Sequence, residues 1–150
     1  MQQYSSDGTR MERTGWRDEG ISQRHRQWGF NCPCVDLDFL VAEYNLGLPV
    51  ALIEYKHFKA RRPDLKHATY RALTALCDGY NDGPLPFFVA FYWPDIWAFE
   101  IMPVNAKSYD LISKSRILTE REYVTGLYKM RKKCVDDAVL QKLNTELPPG

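Results

Sequence analysis

Long apolar runs are missing from the sequence. A membrane-spanning helix needs roughly 20 predominantly apolar residues, whereas the most continuous apolar stretch, PFFVAFYW at residues 86–93, is far shorter. The first ten residues are polar and lack the apolar core of an export signal. We therefore expect a cytoplasmic protein that has no membrane partner.

Cysteine is scarce, and neither sign of charge is in excess. Four cysteines, at positions 32, 34, 77 and 134, occur in a chain of 150 residues that is too large and too apolar to depend on disulfides. The first two lie too close together for a usual zinc knuckle. Twenty Lys and Arg oppose nineteen Asp and Glu, a formal net charge of +1, which excludes a globally basic surface. Any contact with nucleic acid must therefore come from local clusters of charge.

The composition is that of a folded globular chain. Apolar residues make up 45% of the sequence and charged residues 26%, far from the low-hydrophobicity composition of disordered proteins. A length of 150 residues suits one domain. We expect a flexible arm over residues 1–11, one domain over residues 12–143 and a loose tail over residues 144–150.

Alternating helical and strand patterns predict an α/β fold. Turn residues and apolar periodicity separate the elements. The stretch 86–93 is so continuously apolar that both faces of its strand should be covered. In chain order we expect a short helix within residues 12–28, a β-hairpin of residues 35–44 and 50–58, a helix over 64–80, a second hairpin of 86–93 and 96–104, and a helix that begins after Thr119.

Acidic residues interrupt the first predicted hairpin, although burying an unpaired carboxylate in an apolar strand is costly. Asp36 and Asp38 lie two residues apart, as do Glu54 and Lys56. Each pair therefore shares one face of its strand. A turn centred near residues 46–47 places Asp38 opposite the strand end that carries Glu54 and Lys56. We expect one aspartate, one glutamate and one lysine to converge there.

Such a trio suits phosphodiester hydrolysis. Carboxylate oxygens are the ligands that Mg²⁺ prefers, and the backbone carbonyl of Tyr55 offers a further ligand. The metal polarises a phosphoryl oxygen and activates a water, while Lys56 can orient that water or stabilise the transition-state charge. The structural alternative is a cross-strand salt bridge between Lys56 and Asp38 on a solvated face, which contributes under about 1 kcal/mol.

The same residues resemble the signature of the PD-(D/E)XK nuclease superfamily. The weight of the likeness comes from its context, which is a hairpin whose apolar second strand ends in Glu and Lys and is followed at once by a helix. The likeness covers roughly residues 12–104. It comprises Pro33, Asp36 and Asp38 at the head of one strand, and the apolar strand 50–53 that runs into Glu54-Tyr55-Lys56.

The resemblance implies a restriction-endonuclease-like αβββαβ core, with a mixed central sheet flanked by helices. It implies that Glu54 is a metal ligand, that Lys56 is the catalytic lysine, and that Asp36 or Asp38 is the other carboxylate ligand. Asp38 mirrors Glu54 more closely across the turn, whereas a register shift would favour Asp36. The cofactor implied is Mg²⁺, with Mn²⁺ as a substitute.

The sequence departs from the family pattern at one point, because Pro33 is followed by Cys34 and Val35 rather than by an aspartate. Both Asp36 and Asp38 therefore stay in the catalytic set. Many members of the superfamily also place a glutamate on the first helix near the metal, and Glu19 is the natural candidate for that place, with Glu12 behind it. A solvated charge on the helix surface is the alternative for Glu19.

Basic residues cluster on both sides of the expected site in the sequence. Such clusters hold phosphate backbones, although ordinary solubility charges explain several of them equally well. The residues that we expect to contact nucleic acid are Arg24, His25, Arg26, His57, Lys59, Arg61, Arg62 and Lys66.

Together these features predict a Mg²⁺-dependent deoxyribonuclease, endo- or exonucleolytic. The chain has no room for a separate sequence-reading domain, which favours branched or otherwise structured DNA, such as a Holliday junction. The alternative is a catalytically silent module on the same fold that binds nucleic acid or inhibits a protein partner. The aromatic-rich second hairpin offers a homodimer face, with plain core packing as the alternative use of its aromatic residues.

Overall fold

The computed structural model describes residues 19–28, 34–35, 37–109 and 116–148, with the side chains of Glu19, Ser22 and Arg26 outside that description. The chain divides into two compact units, residues 1–34 and residues 35–150, and each is described by itself. In the first unit, α1 (Glu19–Gln27) is a helix of nine residues. The His25 ring packs against Trp28, with ring centroids 4.9 Å apart.

A five-stranded mixed sheet forms the centre of the second unit, counted over its described residues. The strands are β1 (Phe39–Glu43), β2 (Leu48–His57), β3 (Phe87–Trp93), β4 (Ala98–Pro103) and β5 (Ile117–Leu118), in that order across the sheet. β2 and β3 are parallel, and the other neighbouring pairs are antiparallel. The parallel pair is joined by the helix α2 (Ala68–Asp78), because parallel neighbours need a crossover connection.

The first hairpin turns through a short 3₁₀ helix, Tyr44–Leu46, and closes at Gly47. The φ angle of Gly47 is +65°, in the left-handed region that glycine adopts without strain. β1 and β2 pair with Phe39 opposite Ile53, and the register shifts once, between Val41 and Ala42. The hairpin that the sequence predicts is therefore confirmed, with a shorter first strand and a second strand that begins two residues earlier.

Helices cover both faces of the sheet. Tyr70, Leu73 and Cys77 of α2 pack on one face against Leu52 and the odd-numbered residues of β3. On the other face, the helix α4 (Glu120–Met130) packs through Tyr123, Leu127 and Met130. Residues of β2 and β3 alternate between these two cores, as the two-residue period of a strand requires. The second unit thus has a helix, sheet, helix layering.

The helix predicted to begin after Thr119 is confirmed as α4, and Thr119 is its N-cap. The Thr119 hydroxyl accepts from the Glu122 N–H, and the Glu122 carboxylate accepts from the Thr119 N–H, which is a capping box. Two short helices, α3 (Ala106–Tyr109) and α5 (Asp137–Leu140), and the two-residue strand β5 were not predicted. They lie beyond residue 104, outside the part of the sequence that carried the resemblance.

The general α/β class and the mixed sheet flanked by helices are confirmed. Phe87, Phe88, Val89 and Ala90 of β3 are fully buried, as expected for a strand covered on both faces. Within the described residues, two strands rather than three precede α2. None of the described helices is long and apolar enough to cross a membrane.

The cysteines differ in their surroundings. Cys34 and Cys134 are exposed thiols and Cys77 is a buried one. Burial raises the pKa of the Cys77 thiol to about 11, with a smaller contribution from the charge of Asp78, so this thiol stays protonated at neutral pH. Cys77 is therefore a core residue of α2.

Candidate functional site

The end of β2 carries the two central residues of the predicted site. Leu52, Glu54 and Lys56 alternate onto the face that α2 covers, and Leu52 belongs to the core there. Lys56 Nζ lies 3.8 Å from Glu54 Oε1, and the two side chains are 29% and 22% exposed. Both charges are thus half-buried where the strand leaves the core, and the predicted convergence of Glu54 with Lys56 is present.

Asp38 lies one residue before β1, and the register of the hairpin decides what it faces. Phe39 pairs with Ile53, so the next position of the same antiparallel ladder places Asp38 opposite Glu54. The Asp38 side chain is exposed. The two carboxylates therefore enter the site from neighbouring strands.

Tyr70, on the first turn of α2, brings a hydroxyl to the same place. Burial raises the pKa of Tyr70 most strongly. The Glu54 carboxylate raises that pKa further, as a hydrogen-bond acceptor and as a negative charge, and the charge of Asp38 adds to the shift. Tyr70 therefore stays protonated beside the two carboxylates.

The contact with Tyr70 does not satisfy the whole of Glu54. Its Oε2 atom is buried and has no hydrogen-bond partner among the described residues. A buried carboxylate oxygen without a partner is costly, and such exceptions are explained by function or by a bound ion. Among the described residues, this oxygen is the single buried side-chain oxygen or nitrogen that lacks a hydrogen-bond partner.

A third carboxylate, that of Glu100, lies on the row of the sheet that begins at Lys56. Lys56 pairs with Phe91 of β3, and Phe91 pairs with Glu100 of β4. Residues that pair across strands point to the same face, so Glu100 faces the same side as Lys56. Arg62, from the connection between β2 and α2, forms an ion pair with Glu100. Its Cζ lies 5.2 Å from the centre of the Phe91 ring.

The opposite face of β2 is closed by aromatic residues. The Tyr55 hydroxyl lies 2.7 Å from the Tyr123 hydroxyl, and Phe99 stacks on Tyr123 with ring centroids 4.1 Å apart. Burial is the main cause that raises the pKa of both tyrosines. His57 lies on this face too, against Tyr92. His57 therefore does not share the face of Glu54 and Lys56.

The other predicted nucleic-acid contacts of the second unit lie beside the end of β2. Lys59, Arg61 and Lys66 are exposed. Lys59 Nζ lies 5.6 Å from the centre of the Phe58 ring. Together with Arg62, these residues place four cations on the connection from β2 to α2, which follows the strand end that carries Glu54 and Lys56. That arrangement suits a phosphate backbone near a pair of carboxylates.

The donor set suits Mg²⁺ as a partly hydrated ion rather than a caged one. The described residues contain no group of three His, Cys, Asp or Glu side chains placed to hold a metal. Mg²⁺ usually keeps several waters and binds one or two carboxylates together with substrate phosphates. The pair Asp38 and Glu54, with its unpartnered Oε2 oxygen, fits such an ion. The backbone carbonyl of Tyr55 lies between Glu54 and Lys56 in the chain.

Several predicted residues belong to the first unit or lie outside the described residues. Asp36 and the side chains of Glu19 and Arg26 lie outside the described residues. Arg24 and His25 belong to α1 in the first unit. There the Cys34 thiol lies 2.8 Å from His25 Nε2. Their roles stay predictions from the sequence.

The aromatic residues of the second hairpin are mostly core. Phe87, Phe88, Phe91 and Phe99 are buried, whereas Trp97 is 46% exposed. Trp97 lies in the turn between β3 and β4 with a φ of +53°. Core packing therefore explains most of the aromatic density, and a dimer face on this hairpin stays a prediction.

Two residues of the site were not foreseen from the sequence. Glu100 interrupts the apolar strand Ala98–Pro103, which is the same signal that singled out Glu54. Tyr70 precedes Leu73 by three residues and Cys77 by seven, so helical periodicity places all three on one face. Both signals were present in the sequence, but the side of the sheet that each residue would face depended on the tertiary fold.

Comparison of the chain with protein-family models, with curated proteins and with solved structures found no match.

Proposed function

We propose that this protein is a Mg²⁺-dependent nuclease that hydrolyses phosphodiester bonds of DNA, on a restriction-endonuclease-like core. The single observation that carries the proposal is the buried, unpartnered Oε2 of Glu54, which lies beside Lys56 and across the hairpin from Asp38. A structural ion cluster would be expected to satisfy its own carboxylate oxygens.

Each residue of the site has a role in this proposal. Asp38 and Glu54 hold Mg²⁺, which when bound polarises a phosphoryl oxygen and lowers the pKa of a water. Lys56 orients the attacking water and offsets negative charge on the phosphate. Tyr70 stays protonated beside Glu54, because burial and the charge of that carboxylate raise the Tyr70 pKa. The site therefore combines carboxylates for the metal with a cation for the phosphate.

The order of elements supports the restriction-endonuclease-like core. A hairpin ends in Glu54 and Lys56, α2 follows, and β3 then pairs in parallel with β2. This is the part of the αβββαβ order that the described residues contain. Asp38 opposite Glu54 agrees with the assignment of Asp38 as the aspartate of the motif, while Asp36 remains the second choice.

Substrate choice follows from the surroundings of the site. The exposed cations Lys59, Arg61, Arg62 and Lys66 lie on the connection from β2 to α2, and such cations hold a phosphate backbone without reading bases. Recognition of shape therefore fits better than recognition of a long sequence, and branched DNA such as a four-way junction is the first substrate to test.

The test is a cleavage assay on labelled linear, flapped and four-way DNA with Mg²⁺ or Mn²⁺. We expect cleavage by the wild-type chain, and a loss of at least about 100-fold in Glu54→Gln and in Lys56→Ala, because each removes a group that acts in the transition state. Asp38→Asn should lose a similar factor. Arg121→Ala, an exposed substitution on α4, serves as the matched control and should cut normally.

Two outcomes would contradict the proposal. Cleavage that survives both Glu54→Gln and Lys56→Ala would place the activity elsewhere. Binding of DNA without cleavage in any divalent metal would instead favour the alternative, a nucleic-acid-binding module whose carboxylates and lysine are structural. Circular dichroism of each variant establishes that a lost activity is not a lost fold.

A further inference from the structure

The ion pair of Arg62 with Glu100 joins a loop to the sheet beside the proposed site. Arg62 belongs to the connection between β2 and α2, and Glu100 is on β4. Phe91 separates Glu100 from Lys56 in the register of the sheet. Because neighbouring strands lie about 4.8 Å apart, Glu100 and Lys56 lie two strand spacings apart on one face. Arg62 lies over the Phe91 ring between them.

The environment of Arg62 leaves most of its donors available. Its side chain is 61% exposed, whereas Glu100 is only 26% exposed. Among the described residues its ion pair uses Nη2 alone. A guanidinium has five N–H donors in a planar fork, so one edge can bind Glu100 while the rest binds a phosphate. Contact with the Phe91 ring adds a cation–π attraction that holds the plane of the fork.

Glu100 interrupts an apolar row on the face that α2 covers. Its neighbours on that face are Phe91, which is buried, and Met102, which packs on the α2 core. The negative charge of a half-buried carboxylate in that row needs a cation beside it. Arg62, a loop residue, supplies that cation. The pair thereby orders Arg62 before any substrate arrives, which reduces the entropy lost when a phosphate binds.

We propose that Glu100 is a positioning residue, which holds Arg62 beside Lys56 as the phosphate-binding group for a second phosphate of the DNA strand. The inference rests on the proposed function, since it assigns the substrate contact of the same site. Lys56 then faces the phosphate that is cut, and Arg62 faces a neighbouring phosphate of the same strand. Among the exposed cations around the site, Arg62 is the one that a carboxylate of the sheet holds in place.

The test is DNA binding without metal, in EDTA, measured by fluorescence anisotropy over a range of salt concentrations. Arg62→Ala should weaken binding and reduce the slope of log K against log salt by about one, because one phosphate contact is lost. Arg62→Lys should keep the slope but lose part of the affinity, since the planar fork is missing. The control Arg121→Ala should change neither.

Glu100→Gln distinguishes a positioning role for Glu100 from competition with phosphate and from a purely structural role. If Glu100 acts through Arg62, Glu100→Gln weakens binding several-fold in the wild-type background and has no effect in the Arg62→Ala background. If Glu100 instead competes with phosphate for Arg62, Glu100→Gln tightens binding, and the proposal is wrong. Unchanged binding by Glu100→Gln would overturn it equally.

The outcome for Glu100 can be told apart from the outcome for nuclease activity. Normal cleavage by the wild-type chain together with unchanged or tighter binding by Glu100→Gln overturns only the positioning role. Failure of the wild-type chain to bind DNA at low salt overturns both proposals. Wild-type binding that depends on Glu100 and Arg62, without cleavage in any metal, keeps the phosphate contact and rejects the nuclease.

Discussion

The two faces of β2 treat their polar groups in opposite ways. On the face that α4 covers, the Tyr55 hydroxyl meets the Tyr123 hydroxyl at 2.7 Å. On the face that α2 covers, one residue earlier in the same strand, Oε2 of Glu54 is buried without a partner among the described residues. On the α4 face the buried hydroxyls are hydrogen-bonded to each other, whereas on the α2 face a buried carboxylate oxygen has no partner among the described residues.

The difference separates a satisfied polar contact from an unsatisfied one. A buried hydroxyl pair orients two rings and satisfies both oxygens, which suits a core. An unsatisfied carboxylate lowers stability, and proteins keep such groups where a ligand or a reaction uses them. Comparing substitutions on the two faces therefore tests whether the α2 face is a site.

The largest effect on stability is expected on the α4 face. Tyr55→Phe leaves the Tyr123 hydroxyl without its partner, and Tyr123 is only 5% exposed. The expected loss is about 1–3 kcal/mol in the free energy of unfolding, the cost of leaving a buried donor unsatisfied. Urea denaturation measures it.

The double variant provides the control for this loss. Tyr55→Phe combined with Tyr123→Phe removes both hydroxyls, so most of the lost stability should return. A double variant that is less stable than either single variant would show that the two rings, rather than their hydroxyls, carry the effect.

The sequence predicted the elements that have local signals. The hairpin strands, the buried strand β3 and the cap at Thr119 with Glu122 all follow from patterns within about ten residues. β5 has two residues, Ile117 and Leu118, which are too few for any periodicity. It forms by pairing with the edge of β4. Short elements of this kind depend on tertiary contacts.

The rotation of α2 about its axis shows a second limit. Its apolar periodicity includes Ala68, Ala72 and Leu76, which are exposed in the structure, whereas the buried face is formed by Tyr70, Leu73 and Cys77. Leucine and alanine mark helices equally well on either face, so the inward tyrosine could be identified only once the sheet was in place.

The residues of the candidate site also divide into those that the sequence predicts and those that depend on the tertiary fold. Glu54 and Lys56 share a face because a strand alternates with period two, and this follows from the sequence alone. Tyr70 lies near Glu54 from α2, and Glu100 of β4 faces the same side of the sheet as Lys56. Which side of the sheet those residues face depends on packing that no local pattern encodes.

A smaller effect, of opposite sign, is expected on the α2 face. Glu54→Gln removes the charge of a half-buried carboxylate and places an amide donor near Asp38 and Tyr70. The free energy of unfolding should rise by up to about 1 kcal/mol, because the relieved desolvation exceeds the weak attraction to Lys56 at 3.8 Å. Urea denaturation without divalent metal measures it.

A loss of stability in Glu54→Gln would reverse the interpretation of this face. It would show that Glu54 serves mainly as the partner of Lys56, as in the structural alternative to the catalytic site. The control is Glu146→Gln, at an exposed carboxylate near the C-terminal end. It makes the same change in net charge and should leave the free energy of unfolding unchanged.

The smallest effect on stability is expected at Glu43, whose two carboxylate oxygens both accept hydrogen bonds from cations. Glu43, at the end of β1, accepts from Arg131 Nε at 3.0 Å and from Lys133 Nζ at 3.0 Å. Hydrogen bonds from Arg131 and then Lys133 lower the pKa of Glu43 below its ordinary value of 4.5. A carboxyl whose pKa is lower in the folded state stabilises the fold above the unfolded-state pKa and loses that contribution as pH falls through the folded-state pKa.

Glu43→Gln should therefore be less stable than the wild-type chain at pH 6–7, and the difference should shrink as the pH falls below about 4.5. Urea midpoints of both proteins across this range measure the difference. A gap that stays constant with pH would show that Glu43 acts through packing rather than through its charge. The cluster would then no longer provide the contrast between a carboxylate with both oxygens paired and Glu54, whose Oε2 has no partner among the described residues.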